Sequence, residues 1–430
     1  MFRNYKQNVL LKVFSLNSVS VLVSFVLGIF STKIISVFLG TSGMAFFGSF
    51  KNFSGMLRSL ATLGIGNSVI KMFVENKEDK KELSVIYSTI FWLFLSISVL
   101  LGIATIAFAD PISVFLFYSE SYRYPICFFG LFLPLMVINT FWVAIYNGLQ
   151  HFKKIIAIQI ISNIVVFGIT AILIWQDSLK GGLFSFAFGE LLMVIVTFLF
   201  IRKDKEYFKF DLQKIVSRKY AHTISKFSSM ALLSAIIVPL TLILIRKVII
   251  KDHSIEEAGV WDAVTRLSGF YMLFFNSGLA LYYMPKLASL KTNAEFRAEL
   301  KFYFTFLVPL FLLMLVLIFA FKSIILKIAF TDAFSGINKI LIWQLLGDFF
   351  RIMILAFGYQ IVVKTMIKKY FLMEIAFNVL YFGLSFFLVK RYAVEGALQA
   401  YFYTTVIMFV VMLVAFWKVL FGEDLDESEV

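Results

Sequence analysis

Four ionisable residues lie deep inside apolar stretches of this chain: Asp262 and Arg266 in GVWDAVTRLSGFYMLFF, and Asp348 and Arg351 in ILIWQLLGDFFRIMILAF. A charge near the centre of a bilayer costs at least about 2.5–3.5 kcal/mol on insertion scales, so such residues usually face a polar path inside a helix bundle. On a helix, Asp262 with Arg266 (i,i+4) and Asp348 with Arg351 (i,i+3) each share one face. Mutual neutralisation within a helix is therefore one reading of both sets. Lys51 and Arg58, two helical turns apart in an earlier stretch, have no acidic residue in their own segment. Either another helix supplies a carboxylate or the interior is wet. A wet cationic interior suits an anion, and the planar fork of Arg bonds two phosphate oxygens at once. Phosphate or pyrophosphate fits best, and carboxylate fits as well. Asp262, Asp348 and the mid-segment Glu190 are the candidates for proton or cation coupling, because a membrane carboxylate that protonates or exchanges partners links a gradient to a conformational change. Static counter-ions are the competing reading.

The elements that must position these residues are membrane helices. Of 430 residues, 60% are hydrophobic, with 53 Phe and only 6 Pro. No soluble domain covers that much apolar surface, so the bilayer must be the solvent. The net charge of +14 would suggest nucleic acid in a soluble protein, but here basic loops that orient helices explain it and no nucleic-acid partner is expected. Cys127 is the single cysteine, which excludes an internal disulfide and a Cys-based metal cage. His151, His222 and His253 fall in expected loops, and no metal, cofactor or catalytic set is expected. Asp424-Leu-Asp426 matches a DxD pattern but lies in an acidic tail, and Gly64-Ile-Gly66 lacks the strand context of a dinucleotide loop.

Hydropathy gives about twelve spans: 9–38, 43–70, 83–108, 125–148, 155–175, 183–201, 226–248, 258–284, 302–321, 339–363, 371–389 and 396–420. The N-terminal stretch is too long for a signal h-region and is expected to stay attached. Most Lys and Arg fall in one set of connections, including Lys153 and Lys154, Arg202 to Lys226, and Lys286 to Lys301. The other set holds fewer, among them Arg123, Lys180 and the group Arg246, Lys247 and Lys251. The positive-inside bias places the richer set, and both termini, in the cytoplasm. The basic connection at residues 202–225 reads either as an interfacial helix on an anionic leaflet or as a solvated linker. The expected organisation is a six-helix lobe at 1–201, that linker, a second six-helix lobe at 226–420, and an acidic tail at 421–430.

An internal repeat sits at half the chain length, an offset of 215. Lys51 then aligns with Arg266, Lys71 with Lys286, Lys153-Lys154 with Lys368-Lys369, Gln159 with Glu374, and Gly181-Gly182-Leu183 with Gly396-Ala397-Leu398. Basic residues number 40 of 430, so each basic match has about a one-in-ten chance and several at one offset argue for duplication. A duplicated unit with an even helix count inserts the same way up twice, giving two parallel lobes with substrate expected between them.

The stretch Gly259-Val-Trp261-Asp262, followed by Arg266, Ser268, Tyr271 and Tyr283-Met-Pro285-Lys-Leu287, resembles the Wzx-type lipid-linked oligosaccharide flippases. Trp343-Gln344-Leu-Leu-Gly347-Asp348, then Phe357-Gly358-Tyr359 and Lys364, is similar too, as are Gly64-Ile-Gly66-Asn67 to Lys71 and the twelve-span pattern. These flippases, with O-antigen and enterobacterial-common-antigen types, belong to the multidrug/oligosaccharidyl-lipid/polysaccharide exporter superfamily. The resemblance implies translocation of an undecaprenyl-pyrophosphate-linked oligosaccharide to the periplasmic leaflet of the bacterial inner membrane, for lipopolysaccharide O-antigen and related surface polysaccharide. Membrane lipids, a polysaccharide polymerase and a chain-length regulator are the implied partners. Lys51, Arg58, Arg266 and Arg351 would hold the pyrophosphate, and Asn52, Tyr271 and Asn276 the sugars. The family often carries an uncharged Gln at the place of Asp262, which marks that carboxylate as substrate-specific tuning. A cation-coupled drug antiporter of the same superfamily would favour acidic cavity residues. A membrane enzyme of glycan assembly would carry a large outer loop or an intramembrane His. A scaffold would not need buried charge at repeat-related positions.

Overall fold

The computed structural model describes residues 2–64, 72–73, 76, 79–204 and 217–422. The end of the second expected span with its Gly66-Asn67 to Lys71 motif, residues 205–216 of the basic linker and nearly all of the acidic tail lie outside the described residues.

In hydrocarbon every backbone polar group must be satisfied within its own segment, and this chain answers with helices. They are α1 (Phe2–Phe38), α2 (Gly40–Ala61), α3 (Lys80–Ala107), α4 (Ala109–Phe117), α5 (Arg123–Gly148), α6 (Phe152–Lys203), α7 (Arg218–Asp252), α8 (Ile255–Leu281), α9 (Tyr283–Ser289), α10 (Asn293–Phe302), α11 (Val308–Ala320), α12 (Lys322–Ala329), α13 (Ile337–Val363), α14 (Ile367–Ala415) and α15 (Trp417–Phe421). No strand occurs among the described residues. Local signals set the helix starts. Asp79 caps α3 by accepting from the Lys81 and Glu82 amides, and Ser254 caps α8, whose first turn adds Glu256 and Glu257 at the positive end of the dipole. Thr292 and Glu295 form a reciprocal capping box on α10.

Among the described residues, eight helical stretches are long and apolar enough to cross a bilayer. Two of them, α6 with 52 residues and α14 with 49, are more than twice the roughly 20 residues a span needs. Each reverses midway. In α6 the helical dihedrals break at Asp177 and Ser178 (φ 45°, ψ −122°), and a Cβ on Gly181 would sit 1.8 Å from the Leu173 carbonyl oxygen. Residues eight apart in an unbroken helix are separated by about 12 Å, so the chain has folded back. In α14 the break is at Ala393 (φ 51°, ψ −137°), and a Cβ on Gly396 would sit 2.3 Å from the Leu388 oxygen. Adding α2 and α8, long helices whose polar and charged residues lower their apolarity, brings the spanning segments among the described residues to the twelve expected.

Those two reversals are related by the offset of 215, and so are two helix ends. Gln150 (φ 61°) and Thr365 (φ 51°) are both left-handed. They are followed by matching bonds, from the His151 amide to the Tyr146 carbonyl at 3.0 Å and from Met366 to Ile361 at 2.9 Å. The repeat read from residue types thus recurs as backbone geometry.

The described chain divides into two compact units, Met1–Leu39 with Phe46–Leu240, and Gly40–Ala45 with Thr241–Val430. In the first, α6 packs on α1 and α5, and α5 on α3. Short polar bonds tie α1 to α6, from Ser20 Oγ to Gln159 Oε1 (3.1 Å) and from Asn163 Nδ2 to Ser24 Oγ (2.8 Å), the kind of contact that glues helices where the hydrophobic effect gives no preference for protein over lipid. At one end Tyr146, Ile155, Ile158 and Val196 form an apolar cluster. Beside it Asp204 Oδ2 accepts from Lys154 Nζ at 2.6 Å and from the Tyr146 hydroxyl at 2.9 Å. Burial acts to raise the Asp204 carboxyl, but these two hydrogen bonds and the nearby charges of Lys154 and His151 outweigh it and hold the group below the usual carboxylate range. The stabilisation is therefore present above the ordinary carboxylate value and is lost as pH falls through the lowered one. Asp204→Asn should destabilise the detergent-solubilised protein by about 1 kcal/mol at pH 7, with the difference shrinking below about pH 4. Thermal melts at the two pH values check this, and an equal deficit at both would discount the ion pair.

In the second unit α13 lies against α14, α8 against both, α9 against α8 and α13, and α11 against α13. Helix α10 runs through a π-helical turn, Tyr303–Leu307, into α11. The hydroxyls of Tyr283 and Tyr303 fix these pieces to α13 by donating to the Ala356 and Ile352 carbonyls, each at 3.0 Å. Leu310, Leu313 and Val316 of α11 stand exposed, as side chains do when lipid is their solvent.

Candidate anion-binding site

Helix α2 carries Lys51, Asn52 and Arg58. Lys51 is exposed and Asn52 half-buried. Arg58 has the carboxylate its own helix lacks: Glu190, from the second arm of α6, forms an ion pair with it. The two candidate roles thus meet, one residue read as an anion ligand and one as a coupling carboxylate.

Helix α8 carries Asp262, Arg266, Tyr271 and Asn276. Asp262 has a hydrogen-bonded partner beyond its own helix. Its Oδ1 accepts from Arg246 Nη2 of α7 at 2.5 Å, and the Arg246 guanidinium lies 5.3 Å from the centre of the Trp261 ring. Arg246 is 1% exposed. Its place beside Lys247 and Lys251 suggests an outward connection, and the structure corrects that expectation. Helix α7 continues to Asp252, so Arg246 remains within the packed helix. The signal was available, since Ile243-Leu-Ile245 and Val248-Ile-Ile250 flank it on both sides. Arg266, one turn beyond Asp262, is half-buried and has Asp262 and Arg246 as charge neighbours. Asn276 is half-buried, and its Oδ1 meets no hydrogen-bond donor among the described residues.

Helix α13 carries Asp348 and Arg351. Intrahelical neutralisation, one of the two readings of this pair, is not what the carboxylate shows. Asp348, 1% exposed, is met by four neutral donors. Ser268 Oγ and the Tyr271 hydroxyl donate to its Oδ2 at 2.6 and 2.5 Å, and Gln344 Nε2 donates to the same oxygen at 3.1 Å. The Tyr401 hydroxyl donates to Oδ1 at 2.8 Å. The site solvates this carboxylate as water would. Tyr401 reaches it because α13 has Gly347 at the crossing, where a Cβ would sit 2.4 Å from the Tyr401 ring. Tyr271, expected to touch sugars, has its hydroxyl engaged here. Arg351 is half-buried over the Phe377 ring at 5.6 Å, with Tyr401, Asp348 and Glu374 as its polar neighbours.

The second unit therefore gathers Arg246, Arg266 and Arg351 with Asp262 and Asp348, while Arg58 and Glu190 pair in the first. Sequence reasoning missed Arg246 and Tyr401. Nothing in the spacing pointed to Tyr401, which lies on a helix whose rotation the sequence does not reveal. Among the described residues no group of three His, Cys, Asp or Glu is placed to hold a metal ion. What the arrangement can do is bind and release an anion through planar guanidinium groups, two of which already face carboxylates.

The profile of a family described as polysaccharide biosynthesis protein matches residues 44–339. The lipid III flippase of Escherichia coli (strain K12) is 23% identical over 395 residues, 91% of this chain and 94% of that protein. Among solved structures, the lipid II flippase MurJ in an inward closed conformation is similar with a TM-score of 0.71 at 17% identity, over 94% of this chain and 89% of that one. The MATE multidrug transporter DinF-BH gives 0.70 at 14% identity, over 96% of each chain.

Proposed function

This chain belongs to the polysaccharide biosynthesis protein family, and we propose that it moves a lipid-linked saccharide precursor across a membrane by alternating access. It is a multi-pass membrane protein and not an enzyme, since the proteins it resembles along nearly its whole length are flippases and transporters. The observation that carries the proposal is the set of three buried or half-buried arginines, Arg246, Arg266 and Arg351, on spanning helices of one unit. Guanidinium groups kept inside hydrocarbon at such expense suit a phosphate-bearing headgroup. A drug antiporter has the same fold, but its cationic cargo would call for carboxylates facing the path, and here Glu190 and Asp262 are each held by an arginine.

In its finer form the proposal takes undecaprenyl-pyrophosphate-linked oligosaccharide as cargo, moved from the cytoplasmic to the periplasmic leaflet of a bacterial inner membrane with both termini cytoplasmic. O-antigen or a related surface polysaccharide is the product, with a polymerase and a chain-length regulator as neighbours. The two halves act as the moving lobes. In the second unit Arg266 and Arg351 act on the diphosphate with Asn276 toward the sugars, while Tyr271 is engaged by Asp348; Lys51, Arg58 and Asn52 are the corresponding candidates of the first unit. Coupling to an ion falls to Asp262 and Glu190, whose arginine partners can be exchanged, more than to Asp348, which is enclosed by neutral donors.

The test is a leaflet-translocation assay in proteoliposomes, with a prenyl-diphosphate-linked oligosaccharide as cargo and a cationic dye as the rival substrate. Flipping of the saccharide lipid without dye transport is the expected result. Dye transport alone would replace this reading with the antiporter.

A further inference from the structure

Asp262 stands between two guanidinium groups of the second unit. Its Oδ1 holds Arg246 Nη2, and Arg266 lies one helical turn along α8 with both of them as charge neighbours. Arg246 is sealed beneath Trp261 at 1% exposed, whereas Arg266 is half-buried. A purely structural pair has little reason to be here. Replacing a buried ion pair by apolar side chains of similar volume is often neutral or stabilising, and ionisable groups retained inside a membrane bundle usually serve a transported species.

We propose that Asp262 is the resident anion of a diphosphate site built from Arg246 and Arg266, and that the diphosphate of a lipid headgroup occupies this site by displacing the carboxylate from Arg246. The inference rests on the reading of the cargo as a lipid diphosphate. A diphosphate brings two charges and several acceptor oxygens to two planar forks, where Asp262 brings one charge and two oxygens. The tethered carboxylate competes at a high effective concentration, so weakly binding monoanions do not dislodge it and only a ligand that engages both arginines does. When the cargo leaves, Asp262 returns, and the empty site never holds a bare buried Arg246. The carboxylate thereby acts as both selectivity filter and reset for the site.

The experiment is a thermal-shift titration of the full-length protein in detergent. The probe is a short-chain prenyl diphosphate, with inorganic pyrophosphate titrated separately. Removing the competitor in Asp262→Asn should tighten prenyl diphosphate binding by about tenfold. In the double variant Arg246→Gln/Asp262→Asn, affinity should fall about tenfold below wild type, because the ligand loses one fork. Wild-type binding that Asp262→Asn leaves unchanged or weakened would overturn the exchange and spare the lipid-diphosphate reading. Should Asp262→Asn fail to fold, the double variant, neutral and close in shape at both positions, decides against wild type, and equal affinity overturns the proposal. Pyrophosphate binding as tightly as the prenyl diphosphate would overturn the lipid headgroup as ligand. Absence of any diphosphate binding by wild type would overturn both the exchange and the cargo reading beneath it.

Discussion

Arg266→Ala is expected to abolish translocation of a prenyl-diphosphate-linked oligosaccharide in proteoliposomes, while the protein should still insert and melt as wild type does. Arg266 is the half-buried cation of α8, one turn from Asp262 and with both Asp262 and the buried Arg246 as charge neighbours, so it is the more exposed of the two guanidinium groups beside that carboxylate. Truncating one partner of a buried charge contact costs about 2–5 kcal/mol, and the low end is already close to a thirtyfold loss of affinity. The fold should tolerate the change, since Asp262 keeps Arg246 as its hydrogen-bonded partner. Arg266→Lys should restore part of the activity, because the charge returns without the bidentate fork. Lys51→Ala, at the repeat-related position, should show a loss of the same kind. Both alanine variants flipping at the wild-type rate would remove these residues from the site.

Asp348→Ala is expected to be the most destabilising single change in the second unit. It orphans donors from three helices at once: Ser268 and Tyr271 of α8, Gln344 of α13 and Tyr401 of α14. Each unsatisfied buried donor costs about 1–3 kcal/mol in part offset by rearrangement, so a total of about 3–5 kcal/mol is expected. Asp348→Asn keeps the shape and one of the two acceptor oxygens, and should lose about 1–2 kcal/mol. Melting in detergent measures both, and proteoliposome assays of the Asn variant separate packing from transport. Flipping by Asp348→Asn within about threefold of wild type would mark the carboxylate as the clamp that orients Tyr401 beside Arg351. Loss of flipping in an Asn variant of near-normal stability would instead give Asp348 a part in coupling. Gly347→Ala offers an independent probe, because its Cβ would push on the Tyr401 ring and break the bond to Asp348 Oδ1 without touching the carboxylate.

The sequence by itself determined the all-helical membrane class of this protein and the spanning segments and matched reversals seen among the described residues. Hydropathy acts on each segment of about 20 residues separately, so a local reading finds the segments whatever their neighbours are. The reversals at Ser178 and Ala393 were legible for the same reason, because hydropathy separates 155–175 from 183–201 and 371–389 from 396–420; Gly181 and Gly396, three residues beyond each, permit the close approach. The presence of charge inside the bundle was equally legible, since Lys51, Arg58, Asp262, Arg266, Asp348 and Arg351 all interrupt apolar runs. What only the tertiary structure decided is which group each charge meets. Spacing of three or four residues placed Asp262 near Arg266 and Asp348 near Arg351, but it could not show that Arg246 bonds Asp262, that four neutral donors surround Asp348, or that Glu190 of α6 pairs with Arg58. Shared helix faces bring side chains within reach, but partner choice depends on how neighbouring helices are rotated and how closely they approach. Both are set by packing between segments far apart in sequence.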